Sequence, residues 1–139
     1  MNELNYLNNI KRDLGKLKTC HVVIYGSFLS KYYNPPKSDI DIAIITHHQN
    51  KNENIAIWKK FIGEFNKKYD IKVFELLPLY LKMEIIDNYQ VLFGNELEIS
   101  EYFYHYRTIW KDMIHRIEAN RFKNISEKIE LIEKRTEGH

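Results

Sequence analysis

The stretch VVIYGSFLSKYYNPPKSDIDIAII, from Val22 to Ile45, decides the fold of this 139-residue chain. It predicts an apolar strand, a turn at Gly26-Ser27, a polar loop, and a second strand in which Asp39 and Asp41 alternate with isoleucines. Because successive strand residues point to opposite faces of a sheet, both carboxylates should leave one face, roughly 6.5–7 Å apart. Two carboxylates this close repel each other unless a cation lies between them. The pattern therefore predicts a site for a hard divalent metal such as magnesium.

Composition restricts the class of protein. A chain of 139 residues with 44% apolar side chains is large enough to fold as one domain around its own core. The 21 basic and 19 acidic side chains nearly balance, which argues against a nucleic-acid partner held mainly by bulk charge. The single cysteine excludes an internal disulfide framework and is typical of a reducing compartment. Without a long apolar run or a signal-peptide core, we expect a cytoplasmic protein that does not bind membranes.

Helices and further strands surround the opening stretch. Helical patterns cover residues 3–18, 54–68 and 79–87, and short strand patterns cover residues 20–25, 69–78 and 90–93. From about residue 99 to residue 135 the pattern is helical again, in two apolar stripes that are out of phase. The change of phase predicts a bend or break near residues 120–124. The sequence thus indicates an α/β (α+β) protein in which helices flank a small mixed sheet.

The predicted strand over residues 69–78 carries two further acids, Asp70 at its head and Glu75 at its tail. Since they are five positions apart on one extended segment, their side chains should point to opposite faces. Asp70 would share its face with Lys72, whereas Glu75 would share its face with residues that look directed toward the core. Alternation alone leaves both acids open as a third carboxylate beside Asp39 and Asp41.

The order of these elements resembles the nucleotidyltransferase superfamily related to DNA polymerase beta. Tyr25-Gly26-Ser27, eleven intervening residues and Asp39-Ile40-Asp41-Ile42 follow the family pattern of Gly-Ser and then Asp-apolar-Asp-apolar. The short chain is similar to the minimal nucleotidyltransferases. The resemblance covers residues 20–94. It implies a polymerase beta-like nucleotidyltransferase domain over residues 1–98. A C-terminal helical extension over residues 99–139 would pack on that domain or make oligomer or partner contacts.

The resemblance also implies a third catalytic acid and two metal ions. In the family the third aspartate typically heads this strand, about eight residues before a proline. Asp70 stands eight residues before Pro78, which favours Asp70 over Glu75. Asp39, Asp41 and Asp70 would then be the catalytic residues and would hold two magnesium ions, which stabilise the attacking and the leaving oxygens of nucleotidyl transfer.

A nucleoside triphosphate is the substrate that the resemblance implies. Gly26 and Ser27 would bind its triphosphate through backbone N–H groups and a hydroxyl, and Lys37 would add a positive charge. Minimal nucleotidyltransferases are often paired with HEPN-type toxins. The resemblance therefore implies an antitoxin that transfers AMP from ATP to a tyrosine of such a partner. The alternatives are a non-catalytic antitoxin that neutralises its partner by contact, and transfer to a small molecule or an RNA end. Assembly into a homo-oligomer is also open.

Overall fold

A computed structural model describes residues 3–29 and 39–137 of the chain. The chain divides into two compact units, Met1–Phe103 and Tyr104–His139. The first unit contains the whole sheet and the first turns of the last helix. The second unit contains the rest of that helix.

Four strands and four helices follow one another along the described residues. The helices are α1 (Glu3–Asp13), α2 (Lys51–Phe61), α3 (Leu79–Asp87) and α4 (Glu96–Glu137), and the strands are β1 (His21–Tyr25), β2 (Ile40–Ile45), β3 (Tyr69–Val73) and β4 (Tyr89–Phe93). Short 3-10 turns occupy Gly15–Leu17, Gly26–Leu29 and Phe74–Leu76. The strands form one sheet in the order β3-β2-β1-β4.

The sheet is mixed, as the sequence predicts. β1 runs antiparallel to β2 and to β4, whereas β2 and β3 are parallel. Parallel neighbours need a crossover connection, and α2 supplies it between β2 and β3. The opening stretch therefore forms the two central strands, and its acids come next to β3.

One face of the sheet packs into the main hydrophobic core. This core joins the alternating isoleucines of β2 and the apolar residues of β1 to side chains of α1 and of the turn after it: Ile40, Ile42, Ile44, Val22, Ile24, Ile10, Leu14 and Leu17. Each buried aliphatic side chain of this kind contributes about 1.5–3 kcal/mol. Because the isoleucines of β2 point into this core, the aspartate between Ile40 and Ile42 must leave the opposite face.

The opposite face is covered in part by α3 and the first turns of α4. Phe103 of α4 lies with its ring centroid 4.9 Å from that of Tyr89 on β4 and 5.0 Å from that of Phe74. Ile85 and Ile86 of α3 are also buried. The acid-bearing face thus has apolar walls.

The bounds of three predicted elements were wrong. The helix predicted over residues 3–18 ends at Asp13. The helix predicted over residues 54–68 starts at Lys51, because the Asn50 side chain caps it by accepting a hydrogen bond from the Glu53 N–H. It ends at Phe61, two residues before Gly63, whose φ of 84° is left-handed. The strand predicted over residues 69–78 ends at Val73, and Glu75 lies in the 3-10 turn that follows.

Of the bend or break predicted near residues 120–124, the break is absent, because α4 is one helix from Glu96 to Glu137. The prediction assumed that both apolar stripes had to be buried. In the second unit Phe122, Ile125 and Ile129 are exposed, so no local packing forces the helix to bend there. Within the described part of the chain, no helix is both long enough and apolar enough to span a membrane.

Candidate active site

Asp41 of the opening stretch lies beside Asp70 of β3 across the sheet, and these two residues together with Asp39 are here called the acid row. Asp41 is the register partner of Tyr25 on β1 and of Asp70 on β3. Directly opposite residues of neighbouring strands share a face, so these three side chains leave the sheet on the same side. Asp39 is exposed directly before β2 begins at Ile40. The structure therefore brings Asp41 and Asp70 together, with Asp39 at the same edge.

Electrostatics confirm that these acids influence one another. Burial raises the pKa of Asp41, and the negative charge of Asp70 raises it further, with a smaller effect from Asp39. The ammonium group of Lys72 acts in the opposite direction and lowers the pKa of Asp41. The acid row thus carries like charges whose repulsion a cation would relieve.

Tyr25 is affected by the same negative charges. Burial raises the pKa of its hydroxyl far above its usual range, and the negative charges of Asp41, Asp70 and Glu84 add to that effect. At neutral pH the hydroxyl keeps its proton and remains a hydrogen-bond donor facing an acidic environment.

The turn after β1 requires glycine at position 26. Gly26 has a left-handed φ of 75°, which disfavours other residues, and a Cβ atom there would collide with Oδ2 of Asp41. The backbone can therefore lie directly against the carboxylate. The half-buried Ser27 follows in the same 3-10 turn. Lys37, the third predicted nucleotide-binding residue, lies outside the described residues.

Lys72 supplies the positive charge beside the acids. Its Nζ lies 3.4 Å from Oδ2 of Asp70, and the two side chains are 40% and 43% exposed. Since Lys72 stands two positions after Asp70 on β3, it projects from the same face of the sheet.

A cavity of about 390 Å³ opens beside the row. Its polar lining comes from the sheet, from α3 and from the residue after α3: Tyr25, Gly26, Asp41, Lys72, Glu84 and Asn88. Leu77, Leu81 and Ile85 form its apolar wall. Such a mixture of an apolar wall and a few converging polar groups is typical of a small-molecule site.

The donor set fits a hard divalent cation. Asp41 and Asp70 are in register, they are carboxylates, and their repulsion disfavours the charged state unless a cation is present. Over residues 3–29 and 39–137, no three His, Cys, Asp or Glu side chains already converge closely enough to hold a metal ion. Binding would thus require the carboxylate side chains to rearrange.

Glu75 has a different environment. Its carboxylate accepts hydrogen bonds from the backbone N–H groups of Thr46 (3.1 Å) and His47 (3.0 Å) and from the Tyr102 hydroxyl (2.7 Å). Thr46 and His47 follow the carboxyl end of β2, and Tyr102 belongs to α4, whereas Asp41 lies near the amino end of β2. The geometry therefore groups Asp70, and not Glu75, with Asp41.

Sequence reasoning gave no role to Tyr25, Lys72, Glu84 or Asn88, although all four line the cavity. Alternation did place Lys72 on the face of Asp70, and that was the available signal. Tyr25 directly precedes Gly26 and could have been placed opposite Asp41 only with the register known. Glu84 and Asn88 reach the cavity through the packing of α3, which no local motif encodes.

Comparisons with known proteins agree with this geometry. The sequence pattern of the family described as "Polymerase beta, Nucleotidyltransferase" matches residues 8–98. A protein of Methanocaldococcus jannaschii named "Putative protein adenylyltransferase MJ1547" is 45% identical over 114 residues, which are 82% of this chain and 88% of that protein.

Solved structures share the fold. A toxin–antitoxin complex crystallised with AMP-PNP contains a chain that superposes with a TM-score of 0.60 at 16% identity, covering 81% of this chain and 93% of that one. A complex of a tri-AMPylated Shewanella oneidensis HEPN toxin with its MNT antitoxin matches with a TM-score of 0.56 at 17% identity, covering 86% and 94%. The family pattern spans more than half of the chain, so the protein belongs to the polymerase beta nucleotidyltransferase family and is an enzyme of that kind.

Proposed function

We propose that this protein is a metal-dependent protein adenylyltransferase and acts as an antitoxin. It would transfer AMP from ATP to a tyrosine hydroxyl of a HEPN-type toxin. The observation that carries the proposal is the in-register pair of Asp41 and Asp70 beside a glycine turn that admits no side chain. A scaffold without catalytic activity would have no need for this repelling pair.

The relatives support the substrate and the partner. The Methanocaldococcus jannaschii protein is named for protein adenylyl transfer, and at 45% identity it is a close relative. One structural neighbour was crystallised with an ATP analogue, and another is a complex in which the toxin carries AMP groups. These relatives motivate ATP as the donor and a HEPN-type protein as the acceptor.

The residues of the acid row would bind metal and accept a proton. Asp39, Asp41 and Asp70 would hold magnesium, which when bound supplies positive charge for the attacking and leaving oxygens. The acceptor hydroxyl would attack the α-phosphorus, the bond to the β-phosphate would break, and pyrophosphate would leave. Asp70 would attract the proton that the hydroxyl loses.

The phosphate groups would bind at the turn after β1. Gly26 keeps the turn free of a side chain beside Asp41, and the backbone N–H groups of the turn and the Ser27 hydroxyl would donate to the phosphate oxygens. Lys37 remains a predicted contact to the triphosphate. The apolar wall formed by Leu77 and Leu81 would shield the reacting groups from water.

The second unit offers a surface for the partner. In its helix, apolar side chains are 49% to 73% exposed at Ile117, Phe122, Ile125, Ile129 and Ile132. Exposed apolar side chains repeated along one helix are typical of a protein interface. We propose that this unit contacts the toxin or a second copy of the chain.

The proposal is tested with ATP labelled at either of two positions. The protein, magnesium and a candidate HEPN-type partner are incubated with ATP labelled on the α-phosphate or, in parallel, on the γ-phosphate. AMP transfer predicts protein-bound label from the α-position alone, lost when the acceptor tyrosine, located by mass spectrometry, is changed to phenylalanine. Label from the γ-position would indicate phosphorylation and contradict the proposal.

The same assay separates the alternative functions. A partner that is inhibited in complex while no label appears on any protein would favour neutralisation by contact. Label recovered on an added RNA or on a small molecule would move the acceptor to that class. The repelling acid pair favours the enzyme over the contact antitoxin.

A further inference from the structure

Lys72 and Asp70 form an ion pair on β3. Nζ of Lys72 lies 3.4 Å from Oδ2 of Asp70, and both side chains are about two-fifths exposed. Partly exposed ion pairs of this kind are weak, because water and salt screen them. The pair can therefore open without unfolding the strand.

The side chain of Lys72 also reaches the cavity beside the acid row. Its side chain lines the cavity together with those of Asp41 and Glu84. Lys72 thus stands where a cation is needed while no metal is bound.

A metal ion would compete with Lys72 for the same carboxylate oxygen. A divalent ion at Oδ2 of Asp70 is disfavoured while that atom is paired with the ammonium group, because the two cations repel each other. The lysine stem has four rotatable carbons and can swing into the cavity, whereas Asp70 is held by its strand.

We propose that Lys72 is an exchangeable counter-cation of the acid row, which rests on the proposed metal-dependent transfer. In the metal-free protein Lys72 neutralises Asp70. When a divalent ion binds Asp70, the ammonium group moves into the cavity and contacts an anionic oxygen of the nucleotide. Lys72 thereby sets the metal affinity of the nucleotide-free enzyme and couples metal binding to nucleotide binding.

The experiment measures metal affinity directly, without relying on catalysis. Mn²⁺ is titrated into the nucleotide-free wild type and into Lys72→Met, with free Mn²⁺ followed by electron paramagnetic resonance. Removal of the competing charge should tighten Mn²⁺ binding about three- to tenfold. Lys72→Gln serves as a second uncharged variant if Lys72→Met folds poorly by circular dichroism.

Two matched variants control for charge and for location. Lys72→Arg keeps the positive charge and should bind Mn²⁺ within about twofold of the wild type. Lys68→Met removes a lysine whose ammonium lies 3.4 Å from Asp13 and near the Tyr69 ring, away from the acid row, and should leave Mn²⁺ affinity unchanged.

A second readout excludes a merely structural role. With nucleotide present, Lys72→Met should raise the KM for ATP even though Mn²⁺ alone binds more tightly, whereas a damaged site would weaken both. Unchanged or weaker Mn²⁺ binding in Lys72→Met and Lys72→Gln would overturn the exchange. Wild type that binds no Mn²⁺, or Asp41→Asn that binds it equally well, would overturn the exchange and the proposed metal dependence together.

Discussion

Carboxylates have different environments at the two ends of the central strands. Since β1 and β2 are antiparallel, Tyr25 lies opposite Asp41 at one end, here called the acid end, and His21 lies opposite Ile45 at the other, here called the histidine end. At the acid end, Asp41 and Asp70 face each other in register. At the histidine end, the nearby carboxylate of Glu75 accepts three hydrogen bonds.

The histidine end is held together by its own contacts. Nδ1 of His21 lies 2.8 Å from Nε2 of His47, and the His47 ring lies with its centroid 4.3 Å from that of Tyr102. His47 has a φ of 61°, which is costly for a residue with a side chain, and the Glu75 carboxylate fixes its N–H. The carboxylate here has a structural function.

The acid end lacks this compensation. Burial and neighbouring negative charges raise the pKa of Asp41, and the charge that opposes them comes from the partly exposed Lys72. Electrostatic strain of this kind disfavours the free fold and favours a bound cation. The comparison teaches that a satisfied carboxylate supports the fold, whereas a strained one marks the place of chemistry.

The largest expected effect separates the two ends by activity. Asp41→Asn should lower the rate of AMP transfer by at least about 100-fold, because it removes a carboxylate ligand from the site. Its free energy of unfolding should be unchanged or higher, since the repulsion from Asp70 and Asp39 disappears. Transfer is measured with α-labelled ATP and stability by urea unfolding.

Glu101→Gln, which removes the charge of an exposed acid in the first unit, is the matched control and should leave both quantities as in the wild type. Normal transfer by Asp41→Asn would refute the metal-binding assignment. A large loss of stability in the same variant would show that Asp41 supports the fold and would remove the contrast between the two ends.

The next effect belongs to the histidine end and concerns stability. Glu75→Ala leaves two backbone N–H groups and the Tyr102 hydroxyl without their acceptor, which should lower the free energy of unfolding by about 3 kcal/mol. Glu75→Gln keeps one acceptor oxygen and should lose less. Urea unfolding measures both variants.

Glu75 also provides the sharpest test of the third acid. Under conditions in which the variant stays folded, Glu75→Ala should still transfer AMP, because the carboxylate that it removes lies at the other end of β2 from Asp41. If transfer were abolished while Asp70→Asn remained active, the choice of Asp70 as the third acid would be wrong.

The sequence could predict what alternation and local motifs determine. The alternating Ile40, Asp41 and Ile42 predicted which face the acid leaves, and the predicted helix over residues 79–87 matches α3 at both ends. The role of Glu75 could not be predicted, because its three donors come from the residues directly after β2 and from α4, up to 29 positions away in the chain. The continuity of α4 was missed because an exposed apolar stripe has the same sequence pattern as a buried one.

The smallest expected effect is a pH dependence at the histidine end. Burial lowers the pKa of His47 below its usual value of 6.5, and the charge of His21 lowers it further, against the weaker opposing effects of Glu75 and Glu98. The unfolded chain therefore takes up a proton at this residue before the folded chain does. The stability that neutral His47 contributes is complete above pH 6.5 and is lost as the pH falls from 6.5 toward the lowered folded pKa.

His47→Asn tests this loss with a residue that tolerates a left-handed φ. Between pH 8 and pH 5.5, the urea concentration at the midpoint of unfolding should fall less for the variant than for the wild type. The reason is that the variant has no imidazole to protonate at position 47. His115→Asn, on the exposed surface of α4, should keep the wild-type dependence. If the urea midpoint changed equally with pH in the wild type and in His47→Asn, the contact between the two imidazoles would not depend on a neutral His47. Since a doubly protonated imidazole has no acceptor nitrogen, protonating both rings must break the 2.8 Å contact.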